Sequence, residues 1–253
     1  MLFKDHFSQQ AAGYVKYRPV YPAELFAFLA NLPDEKEIAW DCGAGNGQAA
    51  TGLAPYFRNV LASDASKNQV IHAIRHNKVH FCLMPGENAA IHSRQVDLLV
   101  VSQAVHWFQF ARFYSEAKRV LKSNGIIAIW SYGLPRINRK MNRIVDHLYS
   151  EILGSYWPPE RKFIDLQYKT IPFPFSEIPA PRFKMRTTWD FNHFIGYLNT
   201  WSAVQNFKMK HKMNPVGQIE EKLSECWGIE DKEYSLYWPL YLRVGKKQDN
   251  FFS

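Results

Sequence analysis

Cysteine is scarce in this chain of 253 residues: Cys42, Cys82 and Cys226 lie far apart, with no CxxC pair and no Cys/His ligand spacing. That argues against a disulfide framework and a zinc site, and no metal is expected. Long apolar runs are also missing. The longest, "VDLLVV" at 96–101 and "GIIAIW" at 125–130, hold about six residues, against the roughly 20 that a membrane-spanning helix needs. The opening "MLFKDHFSQQ" carries Asp5 and polar residues where a secretory leader needs an apolar core, so a cytoplasmic location is expected. There is no internal repeat and no low-complexity segment. Nor is the charge concentrated. The net +8 arises from 13 Lys/Arg against 10 Asp/Glu in residues 1–133 and 18 against 13 in residues 134–253, not from one basic face. The local clusters "RINRKMNR" (136–143) and "KMKHK" (208–212) suit a solvated or substrate-facing helix.

What is present is a core-forming composition, 47% hydrophobic, enough for one large α/β domain. Short apolar runs at 38–42, 59–64, 78–83, 96–101 and 125–131 alternate with helix-like segments, which is the pattern of a parallel sheet covered on both faces. The segment "QAATGLAPYF" follows the first run as a helix. After the second, Ser66 is placed to cap a helix whose Val70, Ile71 and Ile74 share a face. Beyond Gly133 the rhythm changes. A helical stretch at 136–153 precedes "YWPPE" and "IPFPFSEIPAPRF", whose prolines point to a long ordered loop or lid. Then come a strand at 184–191, a helix over "NHFIGYLNTWSAVQNF", and a closing strand or hairpin at 234–246, where Pro239 implies a bulge or an edge.

The motif that bears on ligands is "AWDCGAGNGQ" (39–48). A strand that turns through glycines into a helix presents free N–H groups and a positive helix end. The dinucleotide fingerprint G-x-G-x-x-G fails, because Gln48 stands three residues after Gly45, and a P-loop fails for want of GK[ST]. Gly43, Gly45 and Gly47 with Asp41 ahead of them form G-x-G-x-G. This resembles the first motif of the class I S-adenosylmethionine-dependent methyltransferases. "ASDAS" adds Asp64, some 17 residues after Gly47, as an acceptor for ribose hydroxyls or as a helix cap. "CLMPGENAAI" with "VDLLVVSQAVHWF", the early "GYVKYRPVYP", and "YLNTWSAVQNF", "CWG" and "YWPLYLRVGK" near the end resemble a small-molecule subgroup related to the trans-aconitate methyltransferases, within the type 11 methyltransferase domain.

That resemblance spans nearly the whole chain. It implies a Rossmann-like α/β fold with a seven-stranded, mostly parallel sheet, an antiparallel C-terminal strand, helices on both faces and a helical lid between strands 5 and 6. It also implies one domain: cofactor-covering helices over 1–35, a cofactor core over 36–133, a lid over 134–183 and sheet-completing elements over 184–253. The cofactor is expected to be S-adenosylmethionine, with S-adenosylhomocysteine as product. Asp41, Gly43, Ala44, Gly45, Gly47 and Gln48 would surround its methionine part. Asp64 and Ala65 would face the ribose, Gly86 and Glu87 after Pro85 the adenine, and Ser102 and Gln103 would line the cofactor. Tyr14 and Arg18 would hold its carboxylate. Gln103, His106 and Trp107 are the catalytic candidates: a carboxylate acceptor needs only orientation, whereas a hydroxyl or amine would use His106, with its ordinary pKa of about 6.5, as a base. Trp201 and Ser202 match the family too, with core packing as the alternative for Trp201.

Aromatics near arginines in the lid, Tyr149, Tyr156, Trp157, Phe163, Phe173 and Phe175 with Arg136, Arg139, Arg143 and Arg161, suit an amphipathic acid or a solvated basic face. The expected function is therefore methyl transfer to a small molecule, with a carboxylate as candidate acceptor. The alternatives are a tRNA or other macromolecular acceptor, and a non-catalytic cofactor-binding protein. Exocyclic amines of DNA are disfavoured, because "SQAVHWF" stands where an N/D-P-P-Y/F loop would be.

Overall fold

The apolar runs of the first half assemble into a parallel sheet. The structure, a computed structural model, describes residues 17–248. Strands β1 (Ile38–Cys42), β2 (Asn59–Asp64), β3 (Val79–Leu83), β4 (Val96–Ser102) and β5 (Leu121–Tyr132) lie in the spatial order β3-β2-β1-β4-β5. β4 is buried along its length up to Ser102, which is why it reads as unbroken hydrophobicity. Its one charge, Asp97, is structural. The carboxylate accepts the N–H groups of Glu37 and Ile38 at 2.9 and 2.8 Å and pairs with Lys122 at 2.6 Å, tying the start of β1 to β5.

The second half completes the sheet with antiparallel pairing. β8 (Tyr234–Lys246) runs against β5 from Ile126↔Lys246 to Tyr132↔Leu240, as one long strand and not a hairpin. β6 (Ser176–Ile178) and β7 (Lys184–Trp189) follow one another along its other edge. The proline-rich segment is thus partly an edge strand, interrupted at Pro179 and Pro181, where a missing N–H costs no central hydrogen bond. This split edge brings the described strands to eight, one more than expected. The register breaks at Pro239: after Tyr132↔Leu240 the next pair is Arg136↔Tyr237, four steps against three, so the extra residue lies in the segment after β5, opposite Pro239.

Helices α1 (Ala23–Ala30), α2 (Gln48–Leu53), α3 (Lys67–Ile71) and α4 (Phe110–Val120) belong to the parallel half. Phe113, Tyr114, Ala117 and Val120 form the buried stripe of α4. Ser66 does cap α3, accepting the Gln69 N–H at 3.4 Å, yet the expected apolar face fails. The helix stops at Ile71, and Ile71 and Ile74 are exposed, because the Ile74 N–H donates to the Asn46 carbonyl across the glycine loop and does not continue the helix. Between β5 and β6 lie α5 (Arg139–His147), capped by the Asn138 side chain, a π turn (Leu148–Ile152), a 3-10 turn (Gly154–Tyr156) and α6 (Arg161–Asp165).

After β7 the expected single helix is two, α7 (Phe191–Asn199) and α8 (Ser202–His211), followed by α9 (Gly217–Trp227). Trp201 between them is extended, at φ −68° and ψ 135°, so the chain breaks there. Among the described residues no helix is long and apolar enough to cross a membrane.

Candidate active site

The glycine loop sits at the C-terminal end of β1, where the strand order reverses between β1 and β4. Gly43, Gly45 and Gly47 all have positive φ, 70°, 56° and 89°, which non-glycine residues rarely adopt. The amides of Gly43 and Ala44 both donate to the Ser63 carbonyl, at 2.8 and 2.9 Å, which clips the loop to the end of β2. The Asp64 carboxylate accepts the Gly45 N–H at 2.9 Å and the Ser66 N–H at 2.8 Å, so it shapes the loop and the following turn. Ala65 lies within that turn, and Gln48 begins α2. Two of the glycines are also packing sites. A Cβ on Gly43 would come within 2.6 Å of the Ala104 Cβ, and one on Gly47 within 2.5 Å of the Phe81 ring, whereas one on Gly45 would meet only Gln69 Oε1, at 3.9 Å.

Asp41 lies beneath this loop, fully buried, with one oxygen accepting the Ala50 N–H at 2.9 Å and Oδ1 without a partner among the described residues. Burial raises its carboxyl to about 7, against the opposing pull of the Ala50 N–H. In the unfolded chain the same group titrates near 3.9. Between about pH 4 and 7 the folded protein therefore holds a proton that the unfolded chain has released, so stability falls as pH rises through that window and levels off above it. Denaturant unfolding at pH 5, 6 and 7 should show this decline in the wild type and a flatter profile in Asp41→Asn.

A cavity of about 90 Å³ opens at the C-terminal ends of β4 and β5. Gln103, His106 and Trp107 enter it from the segment after β4, and Tyr132 and Gly133 from the end of β5. Arg18 donates to the Tyr132 hydroxyl at 2.9 Å and to the Thr200 carbonyl at 3.2 Å. Tyr197, Thr200, Trp201 and Ser202 line the wall at the α7–α8 break, so Trp201 is both nearly buried and a cavity residue. Trp157 and Arg161 close it from the lid. The Arg161 guanidinium lies 4.7 Å over the Trp157 ring and donates from Nε to the Tyr149 hydroxyl at 2.8 Å, with Asp165 at 3.7 Å. Among the described residues lining this cavity two are arginines and none is acidic.

Gln103 occupies the left-handed region at φ 54°, its Oε1 buried without a partner, and strain of this kind gathers at ligand sites. His106 departs from its ordinary pKa. Burial, helped by the nearby Arg161 charge, pushes the imidazole down to about 3, so it is neutral at physiological pH and a feeble base. Its Nδ1 is 2.6 Å from the buried Tyr168 hydroxyl.

The structure thus brings Arg18, Gln103, His106 and Trp107 into one cavity, with the glycine loop alongside through the contact of Gly43 with Ala104 and Phe108. Ser102 pairs with Trp130 in the sheet. Gly86 packs against Cys42 and Phe108, and Glu87 accepts the Gln109 N–H at 3.0 Å, both beside that assembly. Tyr14 lies outside the described residues. Several lid residues do not converge: Arg136 pairs with Asp146, Arg139 and Arg143 are exposed, and Phe173 and Phe175 pack against Gly245 and Tyr114. Tyr132, Tyr197 and Tyr168 were missed. Only Tyr132 carried a sequence signal, its place at the end of a parallel strand.

The methyltransferase domain family matches residues 40–129. Over nearly its whole length the chain is 34% identical to a Dictyostelium discoideum protein named "Putative methyltransferase", covering 97% of this chain and 96% of the other. The methyltransferase cfoB of Aspergillus candidus is 25% identical, covering 70% and 63%. A solved structure named "Putative Type II Methyltransferase", from Anaeromyxobacter dehalogenans, superposes with a TM-score of 0.86 at 36% identity, covering 91% of this chain and 98% of its own. With the glycine loop at the switch point, the cavity at the ends of β4 and β5 and the β8 pairing in place, the chain belongs to the class I S-adenosylmethionine-dependent methyltransferases.

Proposed function

We propose that this methyltransferase acts on a small carboxylic acid, forming a methyl ester. The observation that carries the reading is the lining of the cavity: the Arg161 guanidinium beside aromatic walls, with no acid among its described lining residues. Such a site attracts an anion, and planar guanidinium binds carboxylate in a forked geometry. His106 supports the same acceptor. A base is needed to activate a hydroxyl or an ammonium, and an imidazole held near 3 is a poor one, while a carboxylate arrives ionised.

The residues present fit the cofactor. Asp41 offers a buried, unpartnered oxygen suited to a cationic amine, and Gly45 leaves its side of the loop open. When bound, S-adenosylmethionine would supply a sulfonium methyl carbon open to in-line attack by an acceptor lone pair, the S–CH3 bond breaking as the thioether leaves. Arg18 would hold the methionine carboxylate, which assigns Arg161 to the acceptor. Asp64 would accept from the ribose while keeping the Gly45 amide. Trp107, Trp157 and Trp201 exclude water and orient the acceptor, work that counts for more than proton transfer in this reaction.

The test is calorimetric titration with S-adenosylhomocysteine, with NAD as control, followed by assay of C4–C8 carboxylic acids with S-adenosylmethionine and detection of methyl esters by mass spectrometry. Binding of the homocysteine compound with ester formation is the expected result. Binding with methylation only of amines or hydroxyls overturns the carboxylate reading, and absence of binding overturns the cofactor assignments.

A further inference from the structure

We propose that Tyr168 is a positioning residue: its hydroxyl donates to Nδ1 of His106 and holds the ring with its proton on Nε2, so that the cavity meets a hydrogen-bond donor. A neutral imidazole has one ring nitrogen free to accept, and the Tyr168 hydroxyl lies 2.6 Å from Nδ1, within reach to donate to it. Tyr168 does not line the cavity; it is fully buried behind His106, and the two rings lie 5.8 Å apart. With Nδ1 turned to Tyr168, Nε2 is the ring nitrogen left to a ligand.

Placing this tyrosine takes unusual backbone. Gln167 and Tyr168 both stand in the left-handed region, at φ 57° and 60°, in the turn that ends α6. Consecutive non-glycine residues in this region persist only where the surroundings impose them. Here the imposing group is Arg243 of β8, which donates to the Tyr168 carbonyl at 3.1 Å and to the Ile171 carbonyl at 2.7 Å, stacks over Phe173 and pairs with Glu177. The strain of the turn is thus held from the antiparallel strand, outside the cavity. Burial keeps the phenol protonated, so it remains a donor.

The consequence for chemistry is that His106 recognises an acceptor oxygen and does not remove a proton. That step rests on the carboxylate reading, but the tautomer does not. Ring ¹⁵N NMR of the histidine-labelled full chain saturated with S-adenosylhomocysteine reads it, the His106 signal being assigned among the nine histidines by its loss in His106→Gln. A protonated Nε2 with a hydrogen-bonded, unprotonated Nδ1 is expected, and a proton on Nδ1 overturns the proposal. In Tyr168→Phe the Nδ1 resonance should move toward that of an unbonded ring nitrogen, and ring resonances identical to wild type also overturn it. With hexanoate as acceptor, the same variant should lose about tenfold in kcat with S-adenosylhomocysteine affinity unchanged. Equal kcat in variant and wild type would count against the positioning role. A hexanoate that is not methylated, beside an Nε2–H tautomer, would fault the carboxylate reading and leave Tyr168 in place.

Discussion

Replacing Arg161 by alanine should raise the KM for a carboxylate acceptor by about 10- to 150-fold and leave S-adenosylhomocysteine affinity near that of wild type. The magnitude is that of one charge-assisted hydrogen-bonded contact, about 1.5–3 kcal/mol, at 1.4 kcal/mol per decade. The selectivity follows from position. Arg161 reaches the cavity from the lid, while the glycine loop, Asp41 and Asp64 belong to the β1–β2 side of the sheet. Losing the guanidinium also removes a cation from over Trp157, a contribution of about 0.5–2 kcal/mol to closing the lid. Arg161→Lys should recover only part of the binding, because an ammonium lacks the planar fork and stacks poorly. Steady-state kinetics of both variants beside a calorimetric titration would check this. Parallel loss of cofactor affinity would place Arg161 in the cofactor site and refute its assignment to the acceptor.

Gly43→Ala and Gly45→Ala should separate stability from ligand binding within one motif. The new methyl on Gly43 would lie 2.6 Å from the Ala104 Cβ and 3.2 Å from the Phe108 ring. Ala104 Cβ cannot swing aside, so the segment bearing Gln103 and His106 must shift. Left-handed strain of about 1–2 kcal/mol and overpacking of about 1–3 kcal/mol act together. At about 2–4 °C per kcal/mol, the melting temperature should fall by roughly 4–20 °C. Gly45→Ala meets nothing nearer than Gln69 Oε1 at 3.9 Å and carries only the strain, a fall of roughly 2–8 °C. Its methyl fills the open side of the loop, however, and S-adenosylhomocysteine binding should drop sharply. Thermal melts with and without that ligand distinguish the two. Equal loss of stability in both variants would mean that the contact with Ala104 has little energetic weight.

Much of this molecule was legible from local pattern. The glycine loop is a property of about ten consecutive residues, and its positive φ values follow from the absence of side chains. The five parallel strands show themselves because a strand covered on both faces must be apolar throughout, and the register break at Pro239 because proline lacks a donor. The capping of α3 by Ser66 is equally local. Patterning misled where local and distant interactions compete. The run from 192 to 207 has helical periodicity, yet it breaks at Trp201, which is buried among Tyr149, Trp157 and Tyr197. Ile71 and Ile74 share a helical face in sequence, but the chain leaves the helix to bond Asn46.

By itself the sequence determined the fold class, the cofactor motif and the segments able to contribute to a site, since these depend on periodicity and on residue types within a few positions of one another. Only the tertiary structure decided which of several arginines faces the cavity, that Tyr168 stands 62 positions from the histidine it touches, and that the imidazole is held near 3 and not 6.5. Those outcomes depend on burial and on the approach of charges from distant elements. Desolvation is a property of the assembled packing, not of any stretch of chain.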